Sequence, residues 1–151
     1  VWLGLTFNWG VLVAAAAARG AITLPDVVLY VALIFWPLGY DTIYAIQDRE
    51  DDALIGVRST ARRFGNHVRP AVMVIYAAAS LLALIAGWLA GGLAGAAGIV
   101  PFALHLAQQA MRLDPADGAL ALSLFRANRD AGLLLLVSWA FIAAFISTIV
   151  G

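Results

Sequence analysis

The sequence predicts an all-α fold, a multi-span transmembrane helical bundle, from its composition, its long apolar runs and the placement of its charges. Of 151 residues, 64% are hydrophobic and only 12% are charged. Soluble domains average about 25% charged residues, so this chain cannot clothe a water-facing surface. Apolar segments of the length needed to cross a bilayer, roughly 20 residues, recur five times. None alternates polar and apolar residues at the period of two that a membrane β-barrel demands.

The expected spans are Val1 to Ala18, Val27 to about Ile46, Ala71 to Leu89, Leu93 to Met111, and Gly132 to Val150. The fourth is the weakest, because Pro101, His105, Gln108 and Gln109 interrupt it. Four connections join the spans and must alternate sides. The first, Arg19 to Asp26, holds one arginine, and the third, Ala90 to Gly92, holds none. The second, Gln47 to Pro70, holds Arg49, Arg58, Arg62, Arg63 and Arg69; the fourth, Arg112 to Ala131, holds Arg112, Arg126 and Arg129. Eight arginines against one is a strong positive-inside asymmetry. It puts connections two and four in the cytoplasm and Gly151 on the far side. In the run of glycines at 87, 91 and 95, Gly91-Gly92 reads as a tight turn, in preference to a close-packing stripe.

Net charge is zero, so no global field points to nucleic acid. The absence of cysteine excludes disulfides and thiolate chemistry. The chain opens on "VWLGLTFNWG", with neither a start methionine nor a basic leader, and reads as a cut through something longer.

The informative stretch is "YDTIYAIQDREDDALIGVRSTARRFG", Tyr40 to Gly65. On an unbroken α-helix Asp41, Asp48 and Asp52 fall within about 40° of one another. Glu50 points to the opposite side, and it and Asp51 read as solvated, weakly paired acids. Two carboxylates one turn apart repel unless a cation lies between them, and nothing on their face supplies one. Magnesium takes one or two carboxylates together with substrate phosphates, so Asp48 and Asp52 are candidate ligands for Mg²⁺ against a diphosphate. Asp41 lies about 10 Å deeper, where a charge costs at least ~2.5 kcal/mol. It is expected to face a polar cavity, with Pro37 and Gly39 kinking the helix to open it.

The same stretch resembles the second aspartate-rich motif of the UbiA superfamily of membrane prenyltransferases. The phrases "YDTIYAIQDREDD" and "IGVRSTARRFG" are most similar to the 4-hydroxybenzoate polyprenyltransferases. "WLGLTFNWG", Gln108-Gln109 and Phe125, Asn128 and Gly132 extend the resemblance along the chain. It implies that the five spans correspond to spans five to nine of a nine-helix fold. Residues 1–151 would then be the C-terminal part of one transmembrane domain, with 47–70 the cytoplasmic active-site connection. The family's other motif, of Asn-Asp-x-x-Asp type, does not occur here, so the chain alone is expected to be inactive without an N-terminal half.

By the same resemblance, the partners are a polyprenyl diphosphate, a small aromatic acid and the bilayer, expected to be a bacterial inner membrane. Asp48 and Asp52 would hold Mg²⁺, with Asp41 alongside as a catalytic group. Arg58, which replaces a frequent family lysine, and Arg62 would meet phosphate oxygens; lipid headgroup contact is the competing role for Arg62 and Arg63. Tyr44 and Gln47 would line the acceptor pocket, as would Tyr40 unless it merely packs. Ser59 or Thr60 is expected to cap a helix, His67 to be solvated, His105 and Gln108-Gln109 to hydrogen-bond between helices. A transporter or scaffold half with an acidic ion pathway is the alternative, although such sites favour the bilayer midplane. The Asp-Gly-x-x-Ala-Arg signature of a CDP-alcohol phosphotransferase is missing.

Overall fold

A computed structural model describes residues 2–47 and 63–150, and among these residues every regular element is helical. The helices are α1 (Trp2–Phe7), α2 (Trp9–Arg19), α3 (Leu24–Tyr44), α4 (Val68–Ala97), α5 (Val100–Arg112), α6 (Gly118–Arg126) and α7 (Asn128–Val150), with a 3₁₀ turn at Gly65–His67 before α4. Among the described residues, α3 and α4 are long and apolar enough to cross a membrane. They also pack most extensively on each other.

Each expected span finds a helical counterpart, but two are broken. The first divides into α1 and α2 at Asn8. The fourth begins beyond the Gly91-Gly92 turn and breaks again at Gly98-Ile99 before α5, whose first turn contains Pro101. Proline lacks a backbone N–H and is tolerated at a helix start, where that group has no intrahelical partner.

Asn8 at the first break has a specific partner on α3. Its Nδ2 donates to the Leu33 carbonyl at 2.7 Å and to the Gly4 carbonyl at 3.0 Å. Leu33 lies four residues before Pro37, so the N–H that would normally satisfy its carbonyl does not exist. In an apolar medium that oxygen needs another donor, and the Asn8 amide provides it. Tyr30 Oη adds a second tie, donating to the Leu5 carbonyl at 2.8 Å. Gly4 lets the helices meet: a Cβ there would lie 2.8 Å from the Ile34 carbonyl oxygen.

The Gly91-Gly92 turn is present, with Gly92 at φ 58°, a left-handed conformation glycine adopts without steric cost. The close-packing reading of the same run holds as well. Added Cβ atoms on Gly87 and Gly95 would sit 2.6 and 2.2 Å from each other's carbonyl oxygens, so the two backbones touch just below the turn. The buried face of α4 carries Val68, Val72, Tyr76, Ala79, Ala83 and Ala86, a spacing of three and four that marks one helical stripe.

Gly39 departs from expectation. It does not open a cavity: its missing side chain is replaced by the Tyr76 ring, whose Cε1 would lie 2.2 Å from a Cβ at that position. Pro37 is buried inside an uninterrupted α3, and its effect is the freed Leu33 carbonyl.

The two ends of the bundle sort as the arginine count requires. At one end Arg69, opening α4, donates to the Met111 carbonyl in the last turn of α5 at 2.7 Å, a favourable site for a cation. There too Gly118 of α6 lies against the Gln47 backbone. At the other end Arg19 pairs with Asp26, and both line a pocket with Leu89 and Ala90. Connections two and four therefore share one side, and one and three the other.

Candidate functional site

The C-terminal third of α3 presents Trp36, Tyr40 and Tyr44 four residues apart, hence along one side of the helix. The short helix α6 crosses this stripe. Asp117 caps its start, Oδ1 accepting from the Leu120 amide at 2.8 Å, and its apolar face carries Ala121, Leu124 and Phe125 inward. Phe125 meets Tyr40 edge-on, centroids 5.8 Å apart, and Tyr44 at 4.8 Å. Trp36 stands perpendicular to Tyr40 at 5.8 Å and to Phe102 of α5 at 5.3 Å. Edge-to-face geometry lets the positive rim of one ring meet the negative face of the next.

Behind this aromatic wall is a buried polar cluster joining α3, α4, α5 and α7. Trp36 Nε1 donates to Asn128 Oδ1 at 2.8 Å. Asn128 Nδ2 donates to Gln109 Oε1 at 3.1 Å and to the Leu124 and Phe125 carbonyls at 3.1 and 3.3 Å. Tyr76 Oη lies 3.2 Å from both Gln109 Oε1 and Asn128 Oδ1. Indole N–H is a donor only, which fixes Asn128 with its oxygen toward Trp36 and its amide nitrogen toward Gln109. Gln109 must in turn present its oxygen, so its Nε2, buried in a residue 2% exposed, has no partner among the described residues. His105 Nε2 lies 3.0 Å from the Ala127 carbonyl. The interhelical roles expected of His105 and Gln109 are thus present and His67 is exposed as expected, whereas Gln108, given the same role as Gln109, is exposed on the outer side of α5.

In front of the wall a pocket of about 330 Å³ is lined by Trp36, Tyr40, Phe125, Arg126, Asn128 and Arg129. Arg129 is largely exposed and pairs with its neighbour Asp130 at 3.0 Å. Arg126, also exposed, forms no hydrogen bond or ion pair among the described residues.

Of the residues singled out by sequence, Asp41, Tyr44 and Gln47 can be placed; Asp48, Asp52, Arg58 and Arg62 lie outside the described residues, as do Ser59 and Thr60. Asp41 is half-buried, and its carboxylate forms no hydrogen bond or ion pair to any described residue. Tyr44 is 38% exposed and packs on Phe125 without lining the pocket, whereas Tyr40 lines it. Gln47 is exposed. Regular α-helix ends at Tyr44: Ile46 and Gln47 bond back to Ile43 and Tyr44, three residues earlier. Ala45 still bonds back four residues to Asp41, so the tightening is confined to Ile46 and Gln47, and the continuous helix used to align Asp41 with the later acids ends before them. Among the described residues no group of three or more Asp, Glu or His side chains is arranged to hold a metal.

The sequence reading passed over Trp36 and Tyr76 and gave Arg126 and Arg129 only a topological role. Tyr76 had a visible signal, a single tyrosine within an alanine-rich span; Trp36 had none, because its partner is 92 residues away.

The chain matches the UbiA prenyltransferase family over residues 1–130. It is 37% identical over 145 residues to the mitochondrial 4-hydroxybenzoate polyprenyltransferase of Aedes aegypti, covering 88% of this chain and 31% of that protein. With the human mitochondrial 4-hydroxybenzoate polyprenyltransferase it shares 39% identity over 142 residues, 87% of this chain and 36% of the other. The 4-hydroxybenzoate octaprenyltransferase of Shewanella oneidensis is 35% identical over 139 residues, 91% of this chain and 49% of the other. The chain therefore spans between about a third and a half of these relatives. No solved structure matches it. On the strength of the family match and the relatives, the chain belongs to the UbiA prenyltransferase family.

Proposed function

We propose that the complete protein transfers a polyprenyl group from its diphosphate to the ring of 4-hydroxybenzoate, with this chain supplying the second aspartate-rich half of the site. The relatives' names support the substrates. The observation that carries the chemistry is Asp41, a carboxylate with no partner among the described residues, in the last turn of an apolar helix that precedes the Asp48–Asp52 segment in sequence. A half-buried carboxylate without a partner is costly and is retained where a cation or substrate completes it.

In this reading the diphosphate leaves carbon 1 of the prenyl chain with the bonding electron pair. The ring carbon ortho to the acceptor's hydroxyl forms the new carbon–carbon bond, and the proton on that carbon is lost. Arg58 and Arg62 meet the departing phosphate oxygens, and Tyr44 and Gln47 border the acceptor side. The donor set suits a hard divalent cation: the candidates are carboxylates, the chain has no cysteine, and Asp41 meets no cationic side chain among the described residues. Mg²⁺ held by Asp48 and Asp52 would supply charge stabilisation for the leaving diphosphate. The five helical segments stand as spans five to nine, in a bacterial inner membrane, with the acidic connection facing the cytoplasm.

The test is turnover of geranyl diphosphate and 4-hydroxybenzoate by membranes carrying the complete protein. Asp48→Asn and Asp52→Asn are each expected to abolish transfer at unchanged expression. Retained turnover in both variants would remove the proposal.

A further inference from the structure

We infer that the pocket at the end of the bundle opposite Arg69 seats the headgroup of a zwitterionic phospholipid with a primary ammonium, Arg19 taking its phosphate and Asp26 its ammonium. The site stands at the other end of α3 from Asp41, and the inference does not depend on the proposed chemistry.

The charged lip of the pocket is built by two helix ends. Arg19 is the last residue of α2 and Asp26 lies in the first turn of α3, where helix dipoles favour a cation and an anion respectively. The two side chains pair, and Thr23 donates to the same carboxylate through its backbone N–H at 2.8 Å and its hydroxyl at 2.6 Å. All three bonds fall on Asp26 Oδ2, and Arg19 contributes only Nη2. Among the described residues Asp26 Oδ1 accepts no hydrogen bond, and Arg19 Nε and Nη1 donate none. A guanidinium has five N–H donors and a carboxylate about four acceptor positions, so the pair keeps a spare donor edge beside a spare acceptor edge. Its own charges cancel. Such a pair complements a ligand that carries both signs better than it complements a lone anion.

The body of the pocket is apolar. Its volume of about 370 Å³ lies within the range of roughly 300–1,000 Å³ typical of small-molecule sites, and Leu29, Ala86, Leu89 and Trp139 line it. Around it Leu24, Trp88 and Leu89 are 65%, 57% and 46% exposed, a surface suited to lipid, with tryptophan at its usual interfacial level. A charged lip over an apolar wall is the pattern of an amphiphile, which separates a phospholipid from a water-soluble zwitterion. The headgroup meets Arg19 and Asp26, and the glycerol and first methylenes lie along Leu29 and Leu89. Trp139 Nε1 is buried with no hydrogen-bond partner among the described residues, a costly condition in an apolar medium, and glycerol ester carbonyls are acceptors that such a ligand brings. A primary ammonium has three N–H donors for Asp26 Oδ1, whereas a choline group has none.

The test counts lipids retained by the complete protein, purified in maltoside detergent, by native mass spectrometry. Dimyristoyl phosphatidylethanolamine, phosphatidylcholine and phosphatidylglycerol are added singly, so that only the headgroup differs. One phosphatidylethanolamine is expected to bind about fivefold more tightly than either of the others, the contribution of one partly exposed charged contact. Asp26→Asn leaves the Arg19 charge unbalanced and should invert the order, phosphatidylglycerol becoming the tightest, a gain that a misfolded variant does not produce. Arg19→Gln should bring all three lipids within about twofold of one another. Leu89→Trp, which fills the pocket and keeps both charges, should abolish the specific retention, and Arg126→Ala at the opposite end should change nothing.

Equal retention of the three lipids by the unaltered protein overturns the inference. So does a preference for phosphatidylethanolamine that survives Asp26→Asn or Leu89→Trp. Tightest binding of phosphatidylglycerol to the unaltered protein would make the site one for anions and overturn it as well. Displacement of the lipid by an equal concentration of soluble phosphoethanolamine would assign the pocket to a free solute, with the same consequence.

Discussion

Replacing Asn8 by alanine tests whether a proline on one helix dictates a polar residue on another. The Asn8 amide donates to Leu33 O at 2.7 Å and Gly4 O at 3.0 Å, and Pro37 has no N–H to give Leu33 in its place. Hydrogen bonds between membrane helices are worth ~0.6 kcal/mol on average and up to ~1.7, and an unsatisfied buried carbonyl costs about 1–3 kcal/mol. Asn8→Ala is therefore expected to destabilise by about 1.5 kcal/mol, because it breaks the bond and orphans the oxygen together. Pro37→Ala restores the helical N–H, so in that background the same change should cost only ~0.5 kcal/mol. The difference, about 1 kcal/mol, is the coupling between two residues on different helices through the Leu33 carbonyl. Equilibrium unfolding in mixed detergent–lipid micelles, followed by tryptophan fluorescence, measures all four corners of the cycle. Equal costs in the two backgrounds would refute the compensation.

Two further stability series probe the bundle. Asn128→Leu is expected to cost about 2–3 kcal/mol, since Trp36 Nε1, Tyr76 Oη and Gln109 Oε1 lose a partner together. Asn128→Asp should fare no better, because a carboxylate has no N–H for Gln109 and the α6 carbonyls; full stability of the aspartate variant in the unfolding assay would contradict the bonding scheme. Among the glycines, Gly95→Ala drives a Cβ toward the Gly87 carbonyl oxygen, backbone that no side-chain change relieves, and should cost about 1–3 kcal/mol. Gly10→Ala meets nothing within 4 Å and should leave stability equal or up to ~1 kcal/mol higher through helix propensity; a comparable loss at both positions would exclude close packing as the reason for Gly95.

The sequence by itself determined the class, the family and which connections share an end of the bundle, because each rests on features read along the chain. Apolar runs of span length admit few folds in lipid, and arginine counts in alternating connections carry over to the geometry, where Arg69 reaches Met111 and Gln47 abuts Gly118. Gly91-Gly92 was legible for a similar reason: a tight reversal needs a residue at positive φ, and the chain states where glycine is. The roles of Asn8, Gly39 and Trp36 were decided only by the tertiary structure. A helical wheel assigns a face but no neighbour, and these residues meet partners 25, 37 and 92 positions away in sequence. Hydrogen bonding across a bundle is a property of which helices adjoin, and only packing settles that, through close approaches such as Gly39 against the Tyr76 ring and Gly87 against Gly95.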